Sequence, residues 1–242
     1  MAQPALSGAS VLVFHSIGDN PAAFTVSSAT FERYIAHVAH HYKVITPSQL
    51  VQRLAHGDSL AGYVCITFDD GYADNLSLAL PVLEKYNVRA GVFVITSRIG
   101  SSYTHSSGVQ IPLMTADQVR EAHARGMEIL SHTNTHRDVR DISADEYEQE
   151  FEGSRRVLEE IVGAEVPRIV AYPKGRSHEV VRTWLAEHGW HAFGTRGGIT
   201  MHTSPVCDIE RNGIRTETTW QEFLLKLSDG IKPFEKMRGL RF

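Results

Sequence analysis

Short, mostly apolar runs alternate along this chain with longer stretches whose apolar positions recur every three or four residues. The runs fall at residues 11–14, 63–68, 90–95, 127–130, 169–172 and 191–193. Continuous apolar runs of this length read as strands buried on both faces. Between them, residues 30–42 place Phe31, Ile35 and Val38 on one helical face, and residues 73–86 place Leu76, Leu80 and Leu83 in register. Thr46-Pro47 opens a short helix through Leu50, Val51 and Leu54. Thr115 with Gln118, Ser143 with Glu146, and Thr219 with Glu222 have the spacing of capping boxes, and Gly126, Gly163 and Gly189 stand where helices would stop. The second box opens one long helix ending near Gly163. Residues 96–112 are polar and rich in serine and glycine, which predicts a surface loop.

This rhythm predicts an α/β fold with a mostly parallel sheet and outer helices, as an open sheet or a barrel, in one domain over residues 1–242. In either form, chemistry collects at the C-terminal ends of strands. His15, Asp69, Asp70, His132 and Tyr172-Pro173 all fall there.

Composition narrows the picture modestly. Apolar residues make up 42% and charged residues 21%, enough for a full core, and a net charge of −4 gives no reason to expect nucleic acid or an anionic membrane as partner. No window approaches the ~20 apolar residues of a membrane span. The start of the chain lacks a basic segment followed by an apolar one, so a cytoplasmic location is expected. Cys65 lies inside an apolar run and reads as a buried free thiol rather than a disulfide partner of Cys207.

Ile66-Thr67-Phe68-Asp69-Asp70-Gly71 sets two adjacent carboxylates at the end of a buried strand. Aspartate–glycine alone is a common turn. Two neighbouring buried carboxylates repel, however, unless a cation or proton separates them. Ser131-His132-Thr133-Asn134-Thr135-His136 supplies two imidazoles, which share a face if the chain makes a helical turn there. Thirteen histidines make chance pairs common; His37 and His41 have the same spacing but no carboxylate motif, and read as a solvated helix face. Two imidazoles and one carboxylate leave positions open on zinc or a related divalent ion, the pattern of a catalytic centre. Either Asp69 or Asp70 would then be spare to take a proton from water.

Together with Ala171-Tyr172-Pro173-Lys174-Gly175, these motifs resemble those of the NodB-like polysaccharide deacetylases, carbohydrate esterase family four, over residues 11–193 and in the same order. The resemblance implies a distorted (β/α) barrel with fewer than eight parallel strands. It implies a metal-dependent hydrolase that removes N-acetyl groups from amino sugars and releases acetate. By it, Asp69 is the general base, and Asp70, His132 and His136 hold one divalent ion, zinc first, with nickel, cobalt or iron as alternatives. The third motif departs from the usual arginine before the proline and aromatic after it, and looks more like the branch that includes biofilm exopolysaccharide deacetylases. There Tyr172 would offer its backbone N–H to the reacting carbonyl, and Pro173 and Lys174 would line the substrate site. The family's C-terminal leucine-x-x-histidine motif, source of the general acid, is missing. Val11-Leu12-Val13-Phe14-His15 looks like its circularly permuted form, which makes His15 the candidate acid. Arg211 resembles an arginine of the branch that orients the base, and Asp208 is a candidate to orient His15.

The expected partner is an N-acetylated amino-sugar glycan or glycoconjugate, with no nucleic acid and no membrane span. Alternatives are deacetylation or deformylation of a small lipid- or nucleotide-linked amino sugar, and a non-catalytic carbohydrate-binding pseudoenzyme.

Overall fold

The computed structural model describes residues 6–231. Its centre is a parallel sheet built from β1 (Ala9–Phe14), β2 (Lys43–Ile45), β3 (Tyr63–Phe68), β4 (Gly91–Val94), β7 (Glu128–Ser131), β8 (Ile169–Ala171), β9 (His191–Phe193) and β10 (Asn212–Gly213). Seven strands follow one another in the order β10-β1-β3-β4-β7-β8-β9. The short β2 stands outside that path. It pairs with the first half of β3, Lys43 to Tyr63 through Ile45 to Cys65, while β4 joins β3 only from Thr67 onward. The two edges approach through one segment: Ile209 bridges Phe193 of β9, and Asn212 and Gly213 pair with Leu12 and Val13 of β1. The fold is thus the distorted barrel of fewer than eight strands that the motifs imply.

Strand alternation decides what fills the barrel. Ala9, Val11, Cys65, Phe93, Leu130, Ile169, Ala171, Phe193 and Ile209 form one buried cluster. Leu50, Val51 and Leu54 of α2 (Pro47–His56) belong to the same cluster and close the barrel floor. The opposite faces of the strands, including Leu12, Phe14, Val64, Ile66, Val92 and Ile129, pack under α1 (Ser28–His41), α3 (Leu80–Lys85), α4 (Ala116–Ala124), α5 (Ser154–Val162) and α7 (Trp220–Lys226). Val170, Tyr172 and Ala192 pack against Val181 and Leu185 of α6 (Glu179–Glu187). Both cysteines are free and buried, as expected. Among the described residues no helix is long and apolar enough to cross a membrane.

Four local expectations are corrected. Residues 96–112 are not a plain loop: a 3₁₀ turn at Thr96–Arg98 leads into an antiparallel hairpin of β5 (Ser102–Thr104) and β6 (Gln110–Pro112). The Ser143 capping box forms, but the helix it opens is broken into a 3₁₀ turn (Ala144–Glu146), a π-helical turn (Gln149–Gly153) and α5. The extra residue of such a turn re-aims neighbouring side chains: Phe151 enters the core while Glu150 reaches the loop after β7. A second π-helical turn, Asn75–Ala79, precedes α3. Finally, His37 does not lie on a solvated face. Its ring packs 5.1 Å from that of Trp220, and burial lowers its pKa.

Candidate active site

Above the apolar filling of the barrel the same inward positions turn polar: Thr67 on β3, Asp69 just after it, His132 beyond β7, and Arg211 before β10. Arg211 is fully buried and uses its whole guanidinium. Nη1 and Nη2 donate to the two oxygens of Asp69 at 2.6 and 2.8 Å, and Nε donates to the Gly194 carbonyl at 2.9 Å. Nη1 also reaches Thr67 Oγ1 at 3.4 Å, and the guanidinium carbon stands 5.3 Å from the Phe93 ring centre. The Arg211 resemblance to a base-orienting arginine is therefore matched by direct contact. Burial would raise the Asp69 pKa, but Arg211 and then His132 outweigh it, and the carboxyl is held below its usual range.

Asp70 faces a different group. Its φ of +70° turns the chain after β3, and its Oδ1 lies 3.4 Å from His132 Nε2 and 3.4 Å from His136 Nε2. One donor atom from each of Asp70, His132 and His136 lies within 4.8 Å of the others. His132 Nδ1 sits 2.9 Å from the Ala171 carbonyl oxygen, a pure acceptor, so Nδ1 carries a proton and Nε2 is the atom directed at Asp70; against burial, the Asp69 and then the Asp70 carboxylates raise the His132 pKa. Burial and then His132 lower the His136 pKa to about 4, which leaves that imidazole neutral at pH 7. Three donors of this chemistry, converging with open positions around them, fit a divalent ion.

The two histidines are not brought together by a helical turn. Thr133 and His136 both have positive φ, 63° and 60°. For a β-branched residue this is a strained conformation. The loop is held from behind by Glu150, whose carboxylate accepts from the Asn134 and Thr135 N–H groups at 3.1 and 2.9 Å and from the Thr135 hydroxyl at 2.6 Å. Glu150 is buried and was not singled out by the sequence; the break in its helix hides it from a periodicity argument.

His15 shares a cavity of about 260 Å³ with Asp69, His132, Lys174 and Gly175. Its ring packs 5.5 Å from Phe24, and its buried Nδ1 has no hydrogen-bond partner. Asp208 does not orient it: that carboxylate pairs with Arg196 at 2.6 Å. What positions His15 is its own backbone. Asn75 Nδ2 donates to the His15 carbonyl at 2.7 Å, and Asp74 accepts from Ser16 Oγ at 2.5 Å and the Ile17 N–H at 3.0 Å. Asp74 and Asn75 follow the aspartate motif closely, and their place on the turn leaving β3, beside the end of β1, is the signal that could have found them.

The Tyr172 expectation is also corrected. Its N–H donates to the Phe193 carbonyl at 3.0 Å within the β8–β9 ladder, and its hydroxyl donates to the Cys207 carbonyl at 2.7 Å. A ladder N–H is not available to a substrate. Pro173 is buried and starts a 3₁₀ turn, and the exposed Lys174 follows at φ +58° on the cavity wall. Tyr72 was likewise not foreseen: its buried hydroxyl has no hydrogen-bond partner, and burial, then the nearby Asp70 charge, raise its pKa.

Two outcomes follow from this geometry. Arg211→Met would strand the Asp69 charge in the barrel and should cost about 3–5 kcal/mol in urea unfolding. Adding Asp69→Asn should recover more than ~1 kcal/mol of that loss, whereas additive losses would mean the two groups are not coupled. Asp74 gives a pH signature. Burial raises its pKa from 3.8 to about 6 against its three donors. A carboxyl raised on folding stabilises the fold fully below its unfolded value and loses that contribution as pH climbs through the folded one. Asp74→Asn should therefore gain in melting temperature relative to the parent between pH 4 and pH 7; an unchanged difference would contradict the assignment.

The family model described as polysaccharide deacetylase matches residues 56–193, more than half of the chain. YxkH of Bacillus subtilis is 29% identical over 172 residues, covering 70% of this chain and 57% of its own length. A poly-beta-1,6-N-acetyl-D-glucosamine N-deacetylase of Staphylococcus epidermidis is 30% identical over 113 residues, 46% of this chain and 38% of that protein. The chain thus spans little more than half of these relatives at most. Among solved structures, the Streptococcus pyogenes deacetylase PplD superposes with a TM-score of 0.77 at 23% identity, covering 93% of this chain and 100% of its own. IcaB of Ammonifex degensii gives 0.74 at 20% identity, covering 93% and 99%. These likenesses establish the fold. The chain belongs to the polysaccharide deacetylase family.

Proposed function

We propose that the protein is a metal-dependent carbohydrate N-deacetylase that hydrolyses the acetamido group of an amino sugar to acetate and a free amine. One observation carries the reading: Asp69 and Asp70, adjacent in sequence, have different main partners, with His132 Nε2 between them at 3.9 Å from Asp69 and 3.4 Å from Asp70. Asp70 joins His132 and His136, and Asp69 is locked on Arg211 at the edge of the cavity that also holds His15. A divalent ion on Asp70, His132 and His136, zinc first, would supply Lewis-acid polarisation of the carbonyl and lower the pKa of water.

The remaining steps belong to the chain's own groups. Asp69 is ionised, and each of its oxygens keeps a lone pair beyond the one engaged by Arg211. It is therefore placed to take the proton of the attacking water. His15, protonated, gives a proton to the departing nitrogen, because an amine leaves poorly unless protonated. Among backbone donors, the Lys174 N–H replaces that of Tyr172 as the group for the developing oxyanion. It lies on the cavity wall and donates to no backbone carbonyl in the loop after β8. The amino sugar is supported by the poly-beta-1,6-N-acetyl-D-glucosamine specificity in the name of the staphylococcal relative.

Acetate release from N-acetylated β-1,6- and β-1,4-linked glucosamine oligomers tests the proposal. Activity should vanish with a chelator and return with zinc. Asp69→Asn should retain metal and lose about 10²–10⁴ in turnover, as should His15→Ala, while His132→Ala should lose the metal. Acetate release that survives chelation, or an Asp69→Asn variant of parental activity, would contradict the reading.

A further inference from the structure

The inward face of the barrel rises in layers that the strand register fixes. Val13 pairs with Gly213 on one side and with Thr67 on the other. The Asp69 N–H donates to the Phe14 carbonyl at 3.0 Å, which carries the β1–β3 ladder up to the layer of His15 and Asp69. Along β10 the side chains alternate. Arg211 points in to Asp69, and Asn212 points out, its amide donating to Ser10 Oγ and the Gly198 carbonyl. Gly213 is therefore the next inward position, level with Val13 and one layer below His15 and Asp69. A Cβ placed there would meet no atom within 4 Å, and the residue's φ lies outside the left-handed region. Other open glycines, such as Gly57, Gly163 and Gly189, have positive φ, while Gly8 and Gly194 would drive a Cβ into Thr200 and Asp208 at 2.3 and 2.8 Å. Neither backbone nor packing asks for glycine at 213, and glycine weakens a strand unless something must approach it closely. What it leaves is space in the active-site cavity, whose wall includes both Gly213 and Val13.

The sugar reaches this cavity from the rim, and the amide nitrogen bonded to it meets His15. Past the carbonyl carbon, the part of the substrate that points down beside Asp69 is the acyl chain. An acetyl methyl needs roughly the 30 Å³ that one molecule takes in liquid water. The layer below Asp69 is about 6.6 Å deep, whereas the two C–C bonds by which butyryl exceeds acetyl measure about 3 Å together. Val13 gives that depth an apolar wall, and the side chain missing at Gly213 leaves its other side open. We infer that the protein also removes N-acyl groups longer than acetyl, N-propionyl and N-butyryl, from amino sugars, and that Gly213 sets the length it accepts. The bond broken is the same amide C–N bond. The oxygen of water joins the acyl carbon to give a carboxylate, and both its protons end on the departing nitrogen as an ammonium, by way of Asp69 and His15. This inference rests on the deacetylase reading for the reacting groups, but the depth of the acyl pocket is measurable without turnover.

The test compares glucosamine trimers carrying N-acetyl, N-propionyl or N-butyryl groups, together with free acetate and butyrate. Calorimetry on the zinc-loaded parent should show butyrate binding about tenfold tighter than acetate, since each buried CH₂ is worth a factor of about four. The advantage should vanish in Gly213→Val, whose side chain fills the space and suits a strand, with zinc content and melting temperature no lower than in the parent. Gly213→Ala, the smaller change, should cut the advantage about threefold, and it carries the test if the larger side chain lowers the melting temperature. By free-amine release, kcat/KM of the parent for the N-propionyl and N-butyryl sugars should lie within about tenfold of that for N-acetyl, and Gly213→Val should lower the butyryl-to-acetyl ratio by about tenfold or more. Butyrate binding no tighter than acetate would overturn the inference, as would a parent preference for N-acetyl beyond that range or ratios that survive both substitutions. No free amine from any of the sugars would refute the deacetylase reading alone, with the carboxylate affinities still deciding the depth of the pocket.

Discussion

The site depends on one buried ion pair. Arg211 sits inside the barrel with no exposure, and such a cation is tolerated only when its charge and donors are met. Asp69 meets the charge, and the Gly194 carbonyl takes the Nε–H. Because both Asp69 oxygens are engaged by the guanidinium, the next carboxylate in the chain is the one free to face the histidines. The chemical difference between two adjacent aspartates therefore originates some 140 residues away, in a segment that also brings the sheet edges together. Mutual repulsion between the carboxylates is resolved by giving each its own positive or hydrogen-bonding partner.

The backbone around the site bears the strain this arrangement requires. Among the described residues, five non-glycine residues have positive φ, and four of them, Asp70, Thr133, His136 and Lys174, lie in the segments of the metal set or on the cavity wall. Such conformations cost about 1–3 kcal/mol each and persist only where neighbours over-determine them. Glu150 holds the histidine loop, and Asp74 with Asn75 holds the turn that presents His15. None of these three acts on a substrate in the proposed chemistry; they fix the groups that do.

Much of this was legible in the sequence, and the gaps have physical causes. Long apolar runs and capping boxes located the main strands and helices, because burial on both faces and satisfied helix ends leave strong local patterns. β2 and β10 were not seen: with three and two residues they have no periodicity to detect. The long helix after Ser143 was expected to be regular, and only the tertiary demand on Glu150 and Phe151 explains its π-helical turn. The aspartate and histidine motifs were readable because the ligand set needs those residue types. Asp208 and the Tyr172 N–H depart from expectation because sequence order reveals neither the Arg196 side chain that pairs with the one nor the Phe193 carbonyl that accepts from the other.

The separation of the two aspartates is the central claim, and a crystal structure of the zinc-loaded protein with anomalous scattering at the zinc edge tests it most directly. The account predicts one zinc at about 2.0–2.2 Å from Asp70 oxygen, His132 Nε2 and His136 Nε2, with both Asp69–Arg211 hydrogen bonds intact. Zinc coordinated by Asp69, or an Arg211 released from it, would contradict the account.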